Sequence, residues 1–576
     1  MRPLVLGALA LLSTGAAAAA HDPVDLGYAL HEPSLNETTG QYTFKNIRYA
    51  DPPTDALRFR APVPVSTKNR TAVQDGSVGS KCPQAFPAWA LTEEATKAGM
   101  TPDQLHQVIL ADPEASEDCL FLNVVVPKAI LDAVSSTSDD DDHGNAREDL
   151  APVLVWLHGG GYVFGHKDDE LYDPSGLVSR SKAEGSKGVI YVAVNYRLGL
   201  FGWLNGVGDD VILPNAGLHD QRLAFNWIQD YIHLFGGDKT KVTVMGQSAG
   251  GGSIMHHITA EGGNATAPFD RAIIQSPGWE HVDKQKLWNR TLAAASAAAK
   301  APVTSGADLQ ALGSATLIGL NGALVFASAN DSFTFSPTVD QGYVPDNPSN
   351  LLREKGSFDA DVGLVLGHNA NEAAAFVSPD LDSEGELRLG LGRTLDQLTP
   401  DAVDYVFGEL YPSPGRTDLY DSEYQRACLI VAESSFVCHT AGLAAAFGNA
   451  THNYRFDVPP GAHVQDVPWT FYTGPDADDD NNDSHVNDDD NDGNDYGNGD
   501  DAVTAPALAR AMQKCFTAFA RKGDPNVEGD VPYWPAYGAD ANIVTFDVPG
   551  VGDAVDDARS ERCEFWLSGE FRKETN

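Results

Sequence analysis

Cationic residues are scarce in this chain of 576 residues: 39 Lys and Arg stand against 81 Asp and Glu, a net charge of -42 at pH 7. Binding to nucleic acid needs Lys and Arg to displace the counterions of the phosphates, so nucleic acid is excluded as a partner, and anionic membrane surfaces with it. Long apolar runs are missing as well. Leu4 to Leu12 is too short to span a bilayer, and no later segment reaches the roughly 18 to 20 apolar residues of an integral membrane segment. With Arg2 before that run and Ala16 to Ala20 after it, residues 1–20 read as a secretory signal peptide. No Pro/Ser/Gly linker and no fixed-period repeat divides the rest, so 21–576 is expected to form a single large domain.

Cysteines are few, and none clusters with histidine at metal-site spacing. The six, Cys82, Cys119, Cys428, Cys438, Cys515 and Cys563, form an even, sparse set. In a long secreted chain that reads as staples on a fold with a large core of its own. N-x-S/T sequons at Asn36, Asn69, Asn264, Asn289, Asn330, Asn449 and Asn482 agree with a secreted glycoprotein.

The acidity is local. Residues 476–501 carry many aspartates and no Lys or Arg, and Asp139 to Asp142 open a smaller acidic insertion over 139–146. Such segments repel themselves and cannot bury apolar area, so both are expected to be disordered loops. Asp488 to Gly493 matches the first half of a calcium loop, but Gly499 stands where a bidentate Glu is needed. No metal or organic cofactor is expected.

Short apolar runs alternate with helical patterns through the middle of the chain. Residues 153–158, 189–196, 241–246 and 362–369 read as buried strands. Between two of them, 219–237 has helical spacing at Leu223, Trp227, Tyr231 and Leu234 and stops at Gly236-Gly237. Residues 506–523 form a second amphipathic helix, again closed by Gly. Alternation of this kind predicts an α/β fold, a mostly parallel sheet with helices on both faces and its chemistry beyond the C-terminal strand ends.

Gly246-Gln247-Ser248-Ala249-Gly250 follows the run Val242-Thr243-Val244 and fits G-x-S-x-G, the nucleophile elbow. A serine nucleophile needs a base, a group to hold that base and donors for an oxyanion. His158-Gly159-Gly160-Gly161, at the end of an upstream strand, is an HGGG-type donor loop; no G-K-[ST] follows, which disfavours a phosphate loop. In this architecture the order is Ser, acid, His, which leaves His439, His452, His463 and His485 as bases. His463 follows a strand into a loop, the position a base requires, whereas His485 lies among the aspartates. For the acid, Glu372 sits just past a strand end and is better placed than Asp340 or Asp361.

In sum, the chain resembles the type-B carboxylesterase/lipase family, the α/β-hydrolases that include cholinesterases, and is most like its secreted fungal-type members. The matching stretches run in the family's order: TFKNIRYADPP with LRFRAP, EDCLFLNV, HGGGYVFG, VNYRLGLFGWL, NAGLHDQRLAFNWI, GQSAGG, GHNANEAAAF, GAHVQDVPWTF and FARKGDPN. The resemblance implies ester hydrolysis on a small-molecule or lipid ester, with Ser248, Glu372 and His463 as the catalytic triad. It also implies an oxyanion hole from the N–H groups of Gly160, Gly161 and Ala249. Cys82 would pair with Cys119, closing a lid-like loop that holds Trp89, and Cys438 with Cys563, leaving Cys428 with Cys515. A lipase or sterol esterase with a mobile lid is the alternative, and a non-catalytic binding protein on the same fold a more distant one. Cholinesterases carry Glu before the nucleophile; Gln247 here removes that charge and weakens the case for a cationic choline ester. The aspartate-rich insertion follows the His463 loop, which would place it at the rim of the site.

Overall fold

Val153, Val155 and Leu157 pack on one face of a strand while Leu154 and Trp156 pack on the other. A strand apolar on both faces must be covered on both, and this one lies deep inside the sheet. The computed structural model describes residues 21–136, 150–329, 332–391, 398–474, 503–529, 531–548 and 550–569. The expected signal segment, both acidic insertions, the half calcium pattern, His485 and the sequons at Asn330 and Asn482 lie outside the described residues.

The main sheet has eleven strands. In chain order they are β1 Ser34–Asn36, β2 Gln41–Arg48, β3 Phe121–Pro127, β4 Ala151–Leu157, β5 Ile190–Val194 and β6 Gly237–Gln247. Then come β7 Arg271–Gln275, β8 Gly363–Asn369, β9 His452–Phe456, β10 Asn542–Asp547 and β11 Gly550–Val555. Their spatial order is β11-β10-β9-β8-β7-β6-β4-β5-β3-β2-β1. The strands from β10 through β5 run parallel, and β11, β3, β2 and β1 add antiparallel edges. A small three-stranded sheet (Val24–Asp25, Ala29–His31 and Asn69–Gln74) stands apart.

Both expected helices are present. Helix α1, Ala216–Tyr231, tightens into a 3-10 turn and stops at the left-handed Gly236. The second expected helix, here α3, is Pro506–Lys522 and ends at the left-handed Gly523, and α2, Ala249–Ile258, follows Ser248. Glu423–Ala446 forms a continuous helical run that is long and apolar enough to cross a membrane by length and composition, which a search for uninterrupted apolar residues overlooks. Most of it is buried inside the fold, and Glu433 within it is held by Arg562 and the Tyr411 hydroxyl, so it packs as a core helix.

Distant motifs meet as ion pairs, two of them buried and the Arg48–Asp118 pair half-exposed. Arg58 reaches Glu117 through two hydrogen bonds of 2.5 and 2.8 Å, and Arg48 reaches Asp118 at 2.5 and 2.9 Å. Arg197 is bonded to Asp220 in α1 at 2.6 and 2.7 Å, with both side chains at 3% exposure or less. Disulfides join Cys82 to Cys119 and Cys438 to Cys563. The remaining expected pair does not form. Cys428 belongs to a peripheral helical core and Cys515 to the core under one face of the sheet, and both are buried thiols. Elimination paired them on paper; packing separates them.

Candidate active site

Register brings the loops together. Leu157 at the end of β4 pairs with Gly246 of β6, and Gln275 of β7 pairs with both Gln247 and Gly367. The chain adds β5 on one side of β4 and β6 on the other. At such a reversal a crevice opens beyond the carboxyl ends of the strands. The glycine loop leaves β4 into it and Ser248 leaves β6.

Ser248 has φ 55° and ψ −121°. An L-residue held in such a region stores about 1–3 kcal/mol of strain, sustained only where the surroundings fix the backbone. Its N–H donates to the Gln275 carbonyl at 3.0 Å, and its own carbonyl accepts from Gly252 and Gly278 at 2.8 and 3.0 Å. A Cβ at position 250 would stand 2.1 Å from the Leu157 carbonyl oxygen, so α2 lies against β4 only because Gly250 has no side chain. Gly160 adopts φ +99°, and a Cβ there would meet the Phe164 carbonyl oxygen at 2.2 Å. Among the described residues none accepts a hydrogen bond from the N–H of Gly160, Gly161 or Ala249, which leaves these three amides for a ligand.

Glu372 and His463 arrive on neighbouring strands. Asn369 at the end of β8 pairs with Phe456 at the end of β9, and an isolated bridge between Asn371 and Ala462 ties the two following loops. The Nδ1–H of His463 donates to Glu372 Oε2 at 2.6 Å. Glu372 Oε1 accepts from the Ser276 hydroxyl at 2.6 Å and from the Asn369 N–H at 2.7 Å. With Nδ1 as donor, Nε2 carries the lone pair of the neutral ring. That lone pair accepts from the side-chain amide of Gln247 at 3.2 Å. Among the described residues the Ser248 hydroxyl has no hydrogen-bond partner; in free enzymes such bonds are often long and tighten with substrate.

Burial alone would push the fully buried Glu372 carboxyl upward. The charge of His463 and the hydrogen bonds from His463, Ser276 and Asn369 outweigh it and leave the group below its usual value. Asp466 shows the opposite balance. Burial and the neighbouring Glu372 charge raise it despite hydrogen bonds from Tyr454 at 2.8 Å and Gln275 at 2.9 Å. Two neighbouring carboxyls are thus driven in opposite directions, Glu372 downward and Asp466 upward.

Ser248 opens on a narrow cavity of about 50 Å³ walled by Gly161, Ala249, Trp279, Phe333, Phe376 and Phe436. The rings of Phe436 and Phe376 lie 4.3 and 5.3 Å from that of His463, which places the imidazole behind the same walls. Trp89, from the disulfide loop, packs on Phe333 and Phe376 at 5.4 and 5.9 Å. Beyond Phe376 and Val431, which wall both, lies a second, larger space of about 230 Å³.

The other candidates lie elsewhere. His439 stacks on Trp279 at 5.2 Å behind the wall, His452 stands at the far end of β9, Asp340 binds Asn215, and Asp361 is exposed before β8. Ser276, Asn369, Gln275 and Asp466 escaped the sequence reading, because their support, by backbone groups and side chains alike, depends on which strand ends lie side by side. Asp466, three residues after His463, carried the one visible signal. Among the described residues no group of His, Cys, Asp and Glu is arranged to hold a metal ion.

Residues 31–566 match the family model described as the Carboxylesterase family. Carboxylesterase patB of Aspergillus clavatus is 34% identical, covering 98% of this chain and 99% of its own length. A secreted lipase of Arthroderma benhamiae is 30% identical over 71% of this chain and 74% of its own. The crystal structure of Aspergillus niger EstA superposes with a TM-score of 0.74 at 22% identity, covering 95% of this chain and 98% of that one, which speaks to the fold alone. With nearly the whole chain matched, this protein belongs to the carboxylesterase family and is a carboxylic ester hydrolase.

Proposed function

We propose that the protein is a secreted serine esterase that hydrolyses carboxylic esters through an acyl-enzyme, with Ser248, Glu372 and His463 as its triad. The observation that carries this reading is the 2.6 Å bond from His463 Nδ1 to a buried, ionised Glu372, which leaves the imidazole lone pair on Nε2, the nitrogen that meets Gln247 next in sequence to the elbow serine. The Ser248 oxygen attacks the ester carbonyl while Nε2 takes its proton. The carbonyl oxygen gains the negative charge and is met by the N–H groups of Gly160, Gly161 and Ala249, each worth about 2.7–4 kcal/mol in such sites. As the carbonyl re-forms, the alcohol leaves with the proton from Nε2. Water, activated by the same nitrogen, then hydrolyses the acyl-serine.

The aromatic walls favour esters with apolar groups. Export is supported by the leader-like residues 1–20 and by sequon asparagines Asn36, Asn69, Asn264 and Asn289, all exposed. One observation favours the lipase alternative: Trp89 of the disulfide loop touches two cavity walls, while Met100 and Val108 of the same loop face solvent at 40 and 55% exposure. Nitrophenyl esters from acetate to palmitate, together with a triglyceride emulsion, test both readings. Hydrolysis that is abolished in Ser248→Ala is expected, and a rate that jumps when an ester–water interface forms would favour the lipase. Turnover retained by Ser248→Ala would refute the nucleophile.

A further inference from the structure

Nε2 of a neutral imidazole has a single lone pair in the plane of its ring. In this structure the Gln247 amide takes it, at 3.2 Å, and the Ser248 hydroxyl does not. The contact is built in rather than incidental. Gln247 is 2% exposed at the end of β6, and the space for its side chain exists because residue 159 is Gly: a Cβ there would stand 2.8 Å from Gln247 Oε1. The ring cannot swing away from the amide, because Nδ1 is pinned to Glu372 and one face is covered by Phe436.

We propose that Gln247 is a positioning residue that competes with Ser248 for Nε2 of His463, holding the free enzyme unactivated until substrate fills the cavity and displaces the amide. The inference rests on the triad reading above. The clasp also fixes the tautomer, since an amide N–H can only face a bare Nε2. A carboxylate in its place would accept from Nε2 and favour the imidazolium, which is no base. The titratable groups around the ring are Glu372 on Nδ1, Asp466 on the turn that follows, Glu280 in the cavity wall and His439 behind Trp279. All are unchanged in the variants below, so a difference between them reports position 247.

The test is the second-order rate of inactivation by a dialkyl nitrophenyl phosphate, a small serine-directed reagent, measured from pH 5 to 9 on the full protein. Wild type, Gln247→Met and Gln247→Glu are compared, with Ser248→Ala as control and circular dichroism as the check of fold. A neutral hydrogen bond biases an equilibrium by roughly two- to tenfold, so Gln247→Met is expected to react faster by about that factor. In Gln247→Glu the acid limb of the profile is expected to move up by about one unit or more. If Gln247→Met does not fold, the limb in Gln247→Glu decides alone. Variant profiles superimposable on wild type would overturn the clasp while leaving the triad standing. Failure of the reagent to distinguish wild type from Ser248→Ala would instead overturn the triad reading.

Discussion

Replacing Glu372 by Gln changes one oxygen for an NH2 group, and the surroundings decide where that NH2 must go. Oε1 receives the Ser276 hydroxyl at 2.6 Å and the Asn369 N–H at 2.7 Å. The backbone donor cannot turn away, so the amide oxygen has to occupy the Oε1 position. The NH2 then replaces Oε2, 2.6 Å from His463 Nδ1, and Nδ1 must become an acceptor. A neutral ring with a bare Nδ1 carries its proton on Nε2, where it cannot take a proton from Ser248. Loss of the correct tautomer costs about 10⁴-fold in kcat in the serine protease triad, or about 5.5 kcal/mol of transition-state stabilisation. The same loss is expected here with little change in KM, measured as nitrophenyl butyrate hydrolysis at pH 7. Ser276→Ala is the contrast. It removes one donor and leaves the tautomer intact, so its loss should stay far smaller. A loss below tenfold in Glu372→Gln, with the fold intact, would refute the reasoning about amide orientation.

The strain at Ser248 predicts a trade of activity for stability: Ser248→Gly should abolish hydrolysis yet melt higher, since glycine adopts φ 55° without the 1–3 kcal/mol cost. Asp220→Ala should destabilise by about 3–5 kcal/mol in urea titrations, because it leaves Arg197 charged and buried without its partner; a change under 1 kcal/mol would contradict the burial. Thiol titration in denaturant should find two free groups without reductant, Cys428 and Cys515, and all six after reduction. Glu372 is depressed in the fold, so its contribution to stability is present above the usual carboxylate value of about 4.5 and fades as pH falls below it. Urea midpoints should therefore drop less on acidification in Glu372→Gln than in wild type.

Much of the scaffold was legible because it is local. Runs such as 153–158 and 362–369 are apolar on both faces, and only a buried strand satisfies that pattern; their observed limits differ by a residue or two. Helix stops at Gly236 and Gly523 were readable from glycine alone, since few other residues take a left-handed conformation cheaply. Gly-x-Ser-x-Gly signalled its elbow because the turn admits no Cβ at Gly250. The choice of His463 over His439 and His452 followed from strand ends, a topological argument that needs no coordinates.

The remainder depended on which strands become neighbours. Chain order says nothing of Gln275 lying between Gln247 and Gly367, and hence nothing of Ser276 reaching Glu372. Nor could counting cysteines reveal that Cys428 and Cys515 belong to separate cores. The sequence by itself determined the elements, the turn at Ser248 and the residue types able to act, because these follow from local sterics and side-chain chemistry. The tertiary structure alone decided the ionised state of Glu372 beside a raised Asp466, and gave the His463 lone pair to Gln247. Burial and hydrogen-bond competition are properties of what surrounds a group, and the surroundings come from segments far apart in the chain.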